Sequence, residues 1–244
     1  MKVGLFVTCV GDAIMPEVVV ATVTVLRRLG VDVVFPREQG CCGQMHVNSG
    51  FAAQAAPMVR SFVDAFRDCD VIVCPSGSCV GSIRHQHRLV ADCVGDASLA
   101  ADVTSTVPRV RELTELLVDD LGVVDVGATF AHRVAYHPSC HSLRVACVGD
   151  RPYQLLAQVR GLELVRQADC NSCCGFGGTF SIKNPDVSTA ILADKLDAFV
   201  AAGADYVTSL DASCLLHLGG GVGRREKGPR TVHLAQILAG TADG

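Results

Sequence analysis

Eight of the thirteen cysteines in this 244-residue chain recur as two sets of four in the same order. Cys9 is separated by 31 residues from Cys41-Cys42-Gly43, and Cys140 by 32 residues from Cys173-Cys174-Gly175. Cys79 and Cys214 complete the sets, with 36 and 39 residues after each Cys-Cys pair. Core packing constrains volume and pattern rather than one residue type, so it does not produce such a repeat. Thiolates in sets of four hold either zinc or an iron–sulfur cluster. Adjacent cysteines are awkward ligands to one small ion but can reach different irons of one cluster. The cysteine reading is therefore an iron–sulfur cluster, of the 4Fe–4S kind, in each half. Zinc in one half is the inorganic rival, although the paired Cys-x-x-Cys knuckles of zinc ribbons are missing: Ser76 and Asp211 stand three residues before Cys79 and Cys214. A vicinal disulfide is a third reading, disfavoured by strain and by a reducing compartment.

The elements that must position these thiols also repeat. Residues 2–9 and 133–140 each read as a short apolar strand ending in a cysteine. A second strand is expected at 31–35 and at 162–165, and a third before Cys79 and before Cys214. Helices are expected at 16–29, 52–66, 109–121, 153–159 and 185–202, on Pro starts, Gly stops and helical spacing of apolar residues. Each half then reads β-α-β-α-β, which defines the fold class: α/β, two duplicated Rossmann-like halves with small parallel sheets. The expected division is a first cysteine-rich repeat at 1–90, a helical connector at 91–131 and a second repeat at 132–244. In such a sheet all the repeated cysteines fall at the carboxyl ends of strands, where open α/β sheets place ligands. Gly43 and Gly175 let the backbone come close without a Cβ, and the amides of Gly177 and Gly178 are placed to meet cluster sulfurs.

With these residues the chain resembles the Cys-Cys-Gly cysteine-rich domain family, and nearest to its lactate-utilisation members over nearly the whole length. The resemblance rests on Pro16-Glu17, Cys41-Cys42-Gly43-Gln44, Asn48-Ser49-Gly50 and Pro75-Ser76-Gly77-Ser78-Cys79 in the first half. In the second it rests on His137-Pro138-Ser139-Cys140-His141, on Cys174-Gly175-Phe176-Gly177-Gly178-Thr179-Phe180, on Asp211-Ala212-Ser213-Cys214 and on His233-Leu234. It implies an iron–sulfur electron-transfer subunit in the oxidation of L-lactate, a 2-hydroxy acid, to pyruvate. The implied partners are a larger sibling iron–sulfur protein and a small third protein. Relatives in the family imply two other roles, a glycolate oxidase iron–sulfur subunit and cluster catalysis on disulfides as in heterodisulfide reductase; a zinc-stabilised scaffold is the non-redox alternative. The full family motif carries a fifth cysteine per half, which holds a noncubane 4Fe–4S cluster in the heterodisulfide reductase subunit. Ser76 and Asp211 replace it here, which leaves an ordinary cluster on four thiolates. Cys74 is a substitute only for the first half, because its counterpart is Ser209.

Other residues carry weaker signals. Cys69, Cys93, Cys147 and Cys170 have no partner in the other half and read as packing or surface residues. His137, His141 and His46 lie near cysteines and read either as donors to a cluster or as structural histidines bonded to backbone. His85 and His87 read as a surface pair, and Lys183 and Arg144 as solvated cations. A net charge of −4 with no basic block gives no support for a nucleic-acid partner. The longest apolar stretch, residues 18–26, is far short of the ~20 residues of a membrane span. The N-terminal residues lack a signal-peptide pattern, so a cytoplasmic location is expected. No Gly-rich dinucleotide fingerprint is present, and no nicotinamide or flavin site is expected.

Overall fold

The computed structural model describes residues 1–225 and 227–240. Its two halves each carry a four-stranded, all-parallel sheet. In the first half the order is β2-β1-β3-β4, with β1 Val3–Leu5, β2 Val33–Val34, β3 Val71–Cys74 and β4 Val110–Glu112. The second repeats it as β6-β5-β7-β8, with β5 Arg133–Tyr136, β6 Glu163–Val165, β7 Tyr206–Ser209 and β8 Arg230–His233. The registers match as well: Val3 lies opposite Val71, and Val134 opposite Tyr206. The duplicated α/β fold expected from the cysteine repeat is the fold observed.

The strands are short, so helix-on-sheet packing carries most of the burial. Val3, Leu5 and Phe6 on the central strand of the first sheet and its extension are essentially inaccessible. That is the continuous apolar run of a strand covered on both faces. Gly4 breaks the run because a Cβ there would sit 2.6 Å from Cys69 Sγ and 2.8 Å from Phe66. The helix Ala56–Ala65 brings Phe62 against Phe6, edge to face, with ring centroids 5.1 Å apart, and Phe66 closes the cluster. Cys69 is thus a packing residue, as expected of it.

The halves are not beads on a string. The last helix, Leu234–Ala239, packs on Pro16–Arg28 of the first half, and its buried face joins the first half's core. Arg28 clasps this contact by donating to Leu238 O at 3.1 Å, Ala239 O at 2.6 Å and Val126 O at 3.0 Å. On the other side the helix Gly77–Cys93 meets the helix Cys140–Arg144. A Cβ at Gly77 would collide with Ser142, and one at Gly81 would press on Val145. Two glycines four apart on one helix face therefore set how close the halves come.

Each sheet has one strand more than the β-α-β-α-β expectation. Residues 109–121, expected to be one helix, begin with β4, and only Leu113–Glu115 and Leu116–Asp120 are helical. The segment 91–131 supplies this fourth strand as well as the helix Ala97–Thr106. β4 ends in Glu112, whose side chain accepts from Thr114 N at 2.7 Å while Glu115 accepts from Glu112 N at 2.9 Å. β8 ends in the same way: His233 Nδ1 accepts from Ala235 N at 3.1 Å, and Gln236 accepts from His233 N at 2.9 Å. A capping box at the same place in both halves stops the fourth strand and starts a helix.

Glu112 is fully buried, and its Oε1 has no partner among the described residues. Burial pushes its pKa up from 4.5 to about 8, against the hydrogen bonds from Thr114. The native state therefore keeps a proton that the unfolded chain releases above pH 4.5. This contribution to stability is fully present below that pH, falls as pH rises and is lost above about 8, with a slope of about 1.4 kcal/mol per pH unit. Glu112→Gln is expected to remove that slope between pH 4.5 and 8 in urea titrations of the chain, while the slope persists in the parent.

Candidate functional site

Each cysteine sits where a strand hands over to a helix. Thr8 caps the helix Cys9–Ala13 through a 3.0 Å bond from Gly11 N, and Ser139 caps Cys140–Arg144 by accepting from Ser142 N at 3.4 Å. Cys79 and Cys214 lie in the first turns of the long helices Gly77–Cys93 and Ala212–Val222.

The Cys-Cys loops are tied down by a glutamine in each half. Gln39 donates to Leu5 O at 3.1 Å and to Pro36 O at 2.8 Å, and accepts from Val7 N at 2.7 Å. Gln167 donates to Tyr136 O at 2.9 Å. Both anchor the loop to the end of the central strand, and neither was singled out in the sequence. Gly43 and Gly175 have φ of +83° and +93°. That conformation costs an L side chain strain, and at Gly175 a Cβ would also come 2.5 Å from Ser188 O. The turn aims the glycine amide back at the first cysteine of the pair. Gly43 N reaches Cys41 Sγ at 3.5 Å, and Gly175 N reaches Cys173 Sγ at 3.3 Å. Gly177 and Gly178, also at positive φ, line the cavity described next.

All eight repeated cysteines line one cavity of about 530 Å³ between the halves. All thirteen cysteines are free, so the vicinal disulfide is not formed. Cys41 Sγ lies 3.9 Å from Cys9 Sγ, and Cys42 Sγ 3.5 Å from Cys79 Sγ. Hydrogen bonds from Cys42 and Cys9 push the Cys41 pKa down to about 2, and bonds from Cys140 and Cys174 do the same for Cys173. Cys9, Cys42, Cys140 and Cys174, which share protons with these thiolates, are raised for the same reason. Each set is thus poised to give up protons to a cation, and the buried Cys74 lies beside Cys79. The thiols fit a metal ion or an iron–sulfur cluster. Cys69, Cys93, Cys147 and Cys170 do not line the cavity.

The residues at the fifth-cysteine positions do something else. Ser76 Oγ donates to Asp211 Oδ1 at 2.8 Å, and Ser78 N donates to the same oxygen at 2.9 Å. Asp211 Oδ2 accepts from Ser142 Oγ at 3.0 Å and from Ser139 Oγ. This buried carboxylate joins the first half to the second just behind the cavity.

The histidines divide. His87, expected on the surface beside His85, is buried, and its Nε2 lies 3.0 Å from Cys42 O. It packs edge to face on Phe62 at 5.2 Å, and burial lowers its pKa to about 4. Its ring therefore supports the Cys41-Cys42 loop from below, while His85 is exposed. His137 is completely buried and, of its two expected readings, does not take the structural one among the described residues: neither ring nitrogen has a partner. His141 and Lys183 face the cavity, and Arg144 donates to Asn171 O at 3.1 Å across the loop before Cys173.

A family model described as "Cysteine-rich domain" matches residues 3–84 and 134–219, the two halves in turn. The chain belongs to this cysteine-rich (CCG) domain family. It is 41% identical to lactate utilization protein A of Oceanobacillus iheyensis over 98% of this chain and 96% of that one. It is 38% identical to the protein of that name in Bacillus subtilis (98% and 99%) and 40% identical to the uncharacterized protein YkgE of Escherichia coli (98% and 99%). Among solved structures, a hypothetical protein from Helicobacter pylori has a similar fold, with a TM-score of 0.65 at 11% identity. The match covers 97% of this chain and 48% of that one. No helix among the described residues is long and apolar enough to cross a membrane.

Removing the Asp211 carboxylate takes the acceptor from Ser76 Oγ, from the half-buried Ser78 N and from one of the Ser139 and Ser142 hydroxyls, which can bond each other at 2.8 Å. Unpaired buried groups cost about 1–3 kcal/mol each and are not additive within a network, so Asp211→Ala is expected to cost on the order of 3 kcal/mol in urea unfolding. Ser76→Ala, which removes one of these donors, is expected to cost about 1 kcal/mol. A loss under about 1 kcal/mol for Asp211→Ala would mean that this carboxylate does not hold the halves together.

Proposed function

We propose that the chain is an iron–sulfur electron-transfer subunit in the oxidation of L-lactate to pyruvate. In this reading Cys9, Cys41, Cys42 and Cys79 hold one 4Fe–4S cluster, and Cys140, Cys173, Cys174 and Cys214 hold another. The observation that carries it is the meeting of eight free thiols, four from each half, around one cavity. When bound, such clusters supply one-electron carriers at potentials set by the hydrogen bonds and charges around their sulfurs. The chain's own contribution is to hold the thiolates, to aim Gly43 N and Gly175 N at Cys41 and Cys173, and to keep one side of each set open to the cavity. The name of its relatives supplies the substrate: proteins about 40% identical over nearly their full length are lactate utilization proteins. The working assembly is then cytoplasmic and adds a sibling iron–sulfur protein and a small third subunit.

Zinc in one half is the second reading. Sulfurs 3.5 and 3.9 Å apart suit two ligands of one tetrahedral ion as well as thiol–thiolate pairs. Two sulfurs 2.3 Å from one zinc would be about 3.8 Å apart. The donor set of the first half fits both, and metal analysis separates them.

Protein prepared without oxygen is expected to contain about eight irons and about eight labile sulfides per chain, the content of two four-iron clusters. Cys41→Ser and Cys173→Ser should each remove roughly half of the iron. With the partner proteins added, L-lactate should bleach the visible absorption. Stoichiometric zinc without visible absorption would overturn the proposal; zinc beside iron for one cluster would confine electron transfer to one half.

A further inference from the structure

Two groups in the second half have no counterpart in the first. His137 is fully buried, and neither ring nitrogen has a partner among the described residues. One of its nitrogens lies within 4.8 Å of both Cys174 Sγ and Cys214 Sγ. At the matching place in the first half, three residues before Cys9, stands Phe6, packed on Phe62 and Phe66. The second group is Lys195, the one lysine or arginine that is buried among the described residues. Its Nζ donates to Asp169 O at 3.1 Å, Cys170 O at 3.0 Å and Ser172 Oγ at 3.1 Å. Two carbonyls and a hydroxyl around Nζ match the three donors of the ammonium that a lysine ordinarily carries. The positive charge therefore lies against the loop that presents Cys173 and Cys174.

The surroundings of His137 decide its role. A metal-ligating histidine normally has its other ring N–H held by a carboxylate or a carbonyl, and His137 has neither. Four thiols already complete the donor set of this half. What remains for the buried ring is to donate an N–H to sulfur, a bond strengthened when the acceptor is a thiolate. Hydrogen bonds to sulfur and nearby positive charge both favour the reduced cluster.

We propose that the two centres are electrically unequal: His137 and Lys195 make the second-half centre the better electron acceptor, so that an electron entering the chain passes from the first half to the second. In that step the first centre is oxidised by one electron and the second is reduced by one, with no bond made or broken. His137 and Lys195 act here as positioning and tuning residues rather than ligands. The inference rests on the two-cluster reading above.

The test is a redox titration of the full-length chain under anaerobic conditions, followed by electron paramagnetic resonance and visible absorption, with iron and sulfide measured on the same sample. Two separate potentials are expected. His137→Phe, which installs the residue of the first half, should lower the upper potential and leave the lower one in place, so that the gap narrows. His137→Asn retains an N–H donor and should keep most of the gap. Lys195→Met should lower the same upper potential, and Lys195→Arg should preserve it; if Lys195→Met does not fold, the two His137 variants decide. Equal potentials in the parent, or a His137→Phe variant that leaves the upper potential in place, would overturn the inference and leave the two-cluster reading standing. Absence of iron and sulfide would overturn that reading, and this inference with it.

Discussion

The Asp211 carboxylate is the joint on which the site depends. It is buried, and it accepts from Ser76, Ser78, Ser139 and Ser142. A buried carboxylate without donors is costly, and here four donors satisfy its two oxygens. The donors come from the N-terminal turns of helices that carry Cys79 and Cys140. Fixing the carboxylate therefore fixes those cysteines relative to Cys214, three residues beyond Asp211. Where the full family motif spends its last two positions on sulfur, this chain spends them on a bond between halves.

Duplication explains why so much of the site comes in pairs, and the pairs that differ are the informative ones. Gln39 and Gln167, Gly43 and Gly175, Thr8 and Ser139 do the same work in the two halves. Phe6 and His137, by contrast, occupy one structural position with opposite chemistry. A phenyl ring beneath the first set completes an apolar cluster, whereas an imidazole beneath the second leaves two ring nitrogens without a partner among the described residues, one of them within 4.8 Å of the Cys174 and Cys214 sulfurs. Two sites made from one repeated pattern thus differ in the chemistry beneath their sulfurs.

The repeat of cysteines made the duplicated α/β fold legible, because thiols at strand ends constrain topology more tightly than apolar periodicity does. Glycines and prolines marked two of the long helices to within a residue or so, at Pro16–Arg28 and Pro185–Ala201, whereas the equally long Gly77–Cys93 was not expected. The fourth strands were not legible by period. β4 has three residues and ends in a charged-looking Glu112, which is tolerated inside because burial favours its protonated form. Its signal was the repeat itself: Glu112-Leu113 and His233-Leu234 are the same cap at the same place. His87 was hidden by the polar run around it, yet Ile83, Val90 and Ala91 lie four before it and three and four after it, which puts it on the buried helix face. The contact between Asp211 and Ser76 joins residues 135 apart, and no local pattern announces it.

Exposure completes the picture of how the thiols are used. In each set the Cys-Cys pair splits, with Cys42 and Cys174 buried and Cys41 and Cys173 partly open. Cys79 and Cys214 lie on the buried side, while Cys9 and Cys140 lie on the open side. A group held by such a set is sunk to half its depth: its inner sulfurs are in the core, where nearby dipoles and charges act strongly, and its outer sulfurs face the common cavity. On the inner side of the second set stands His137, within 4.8 Å of the Cys174 and Cys214 sulfurs. The outer side is where the two sets of thiols line the common cavity. The adjacent cysteines give the site an inner and an outer row of sulfurs because one peptide step turns one sulfur inward and the other outward.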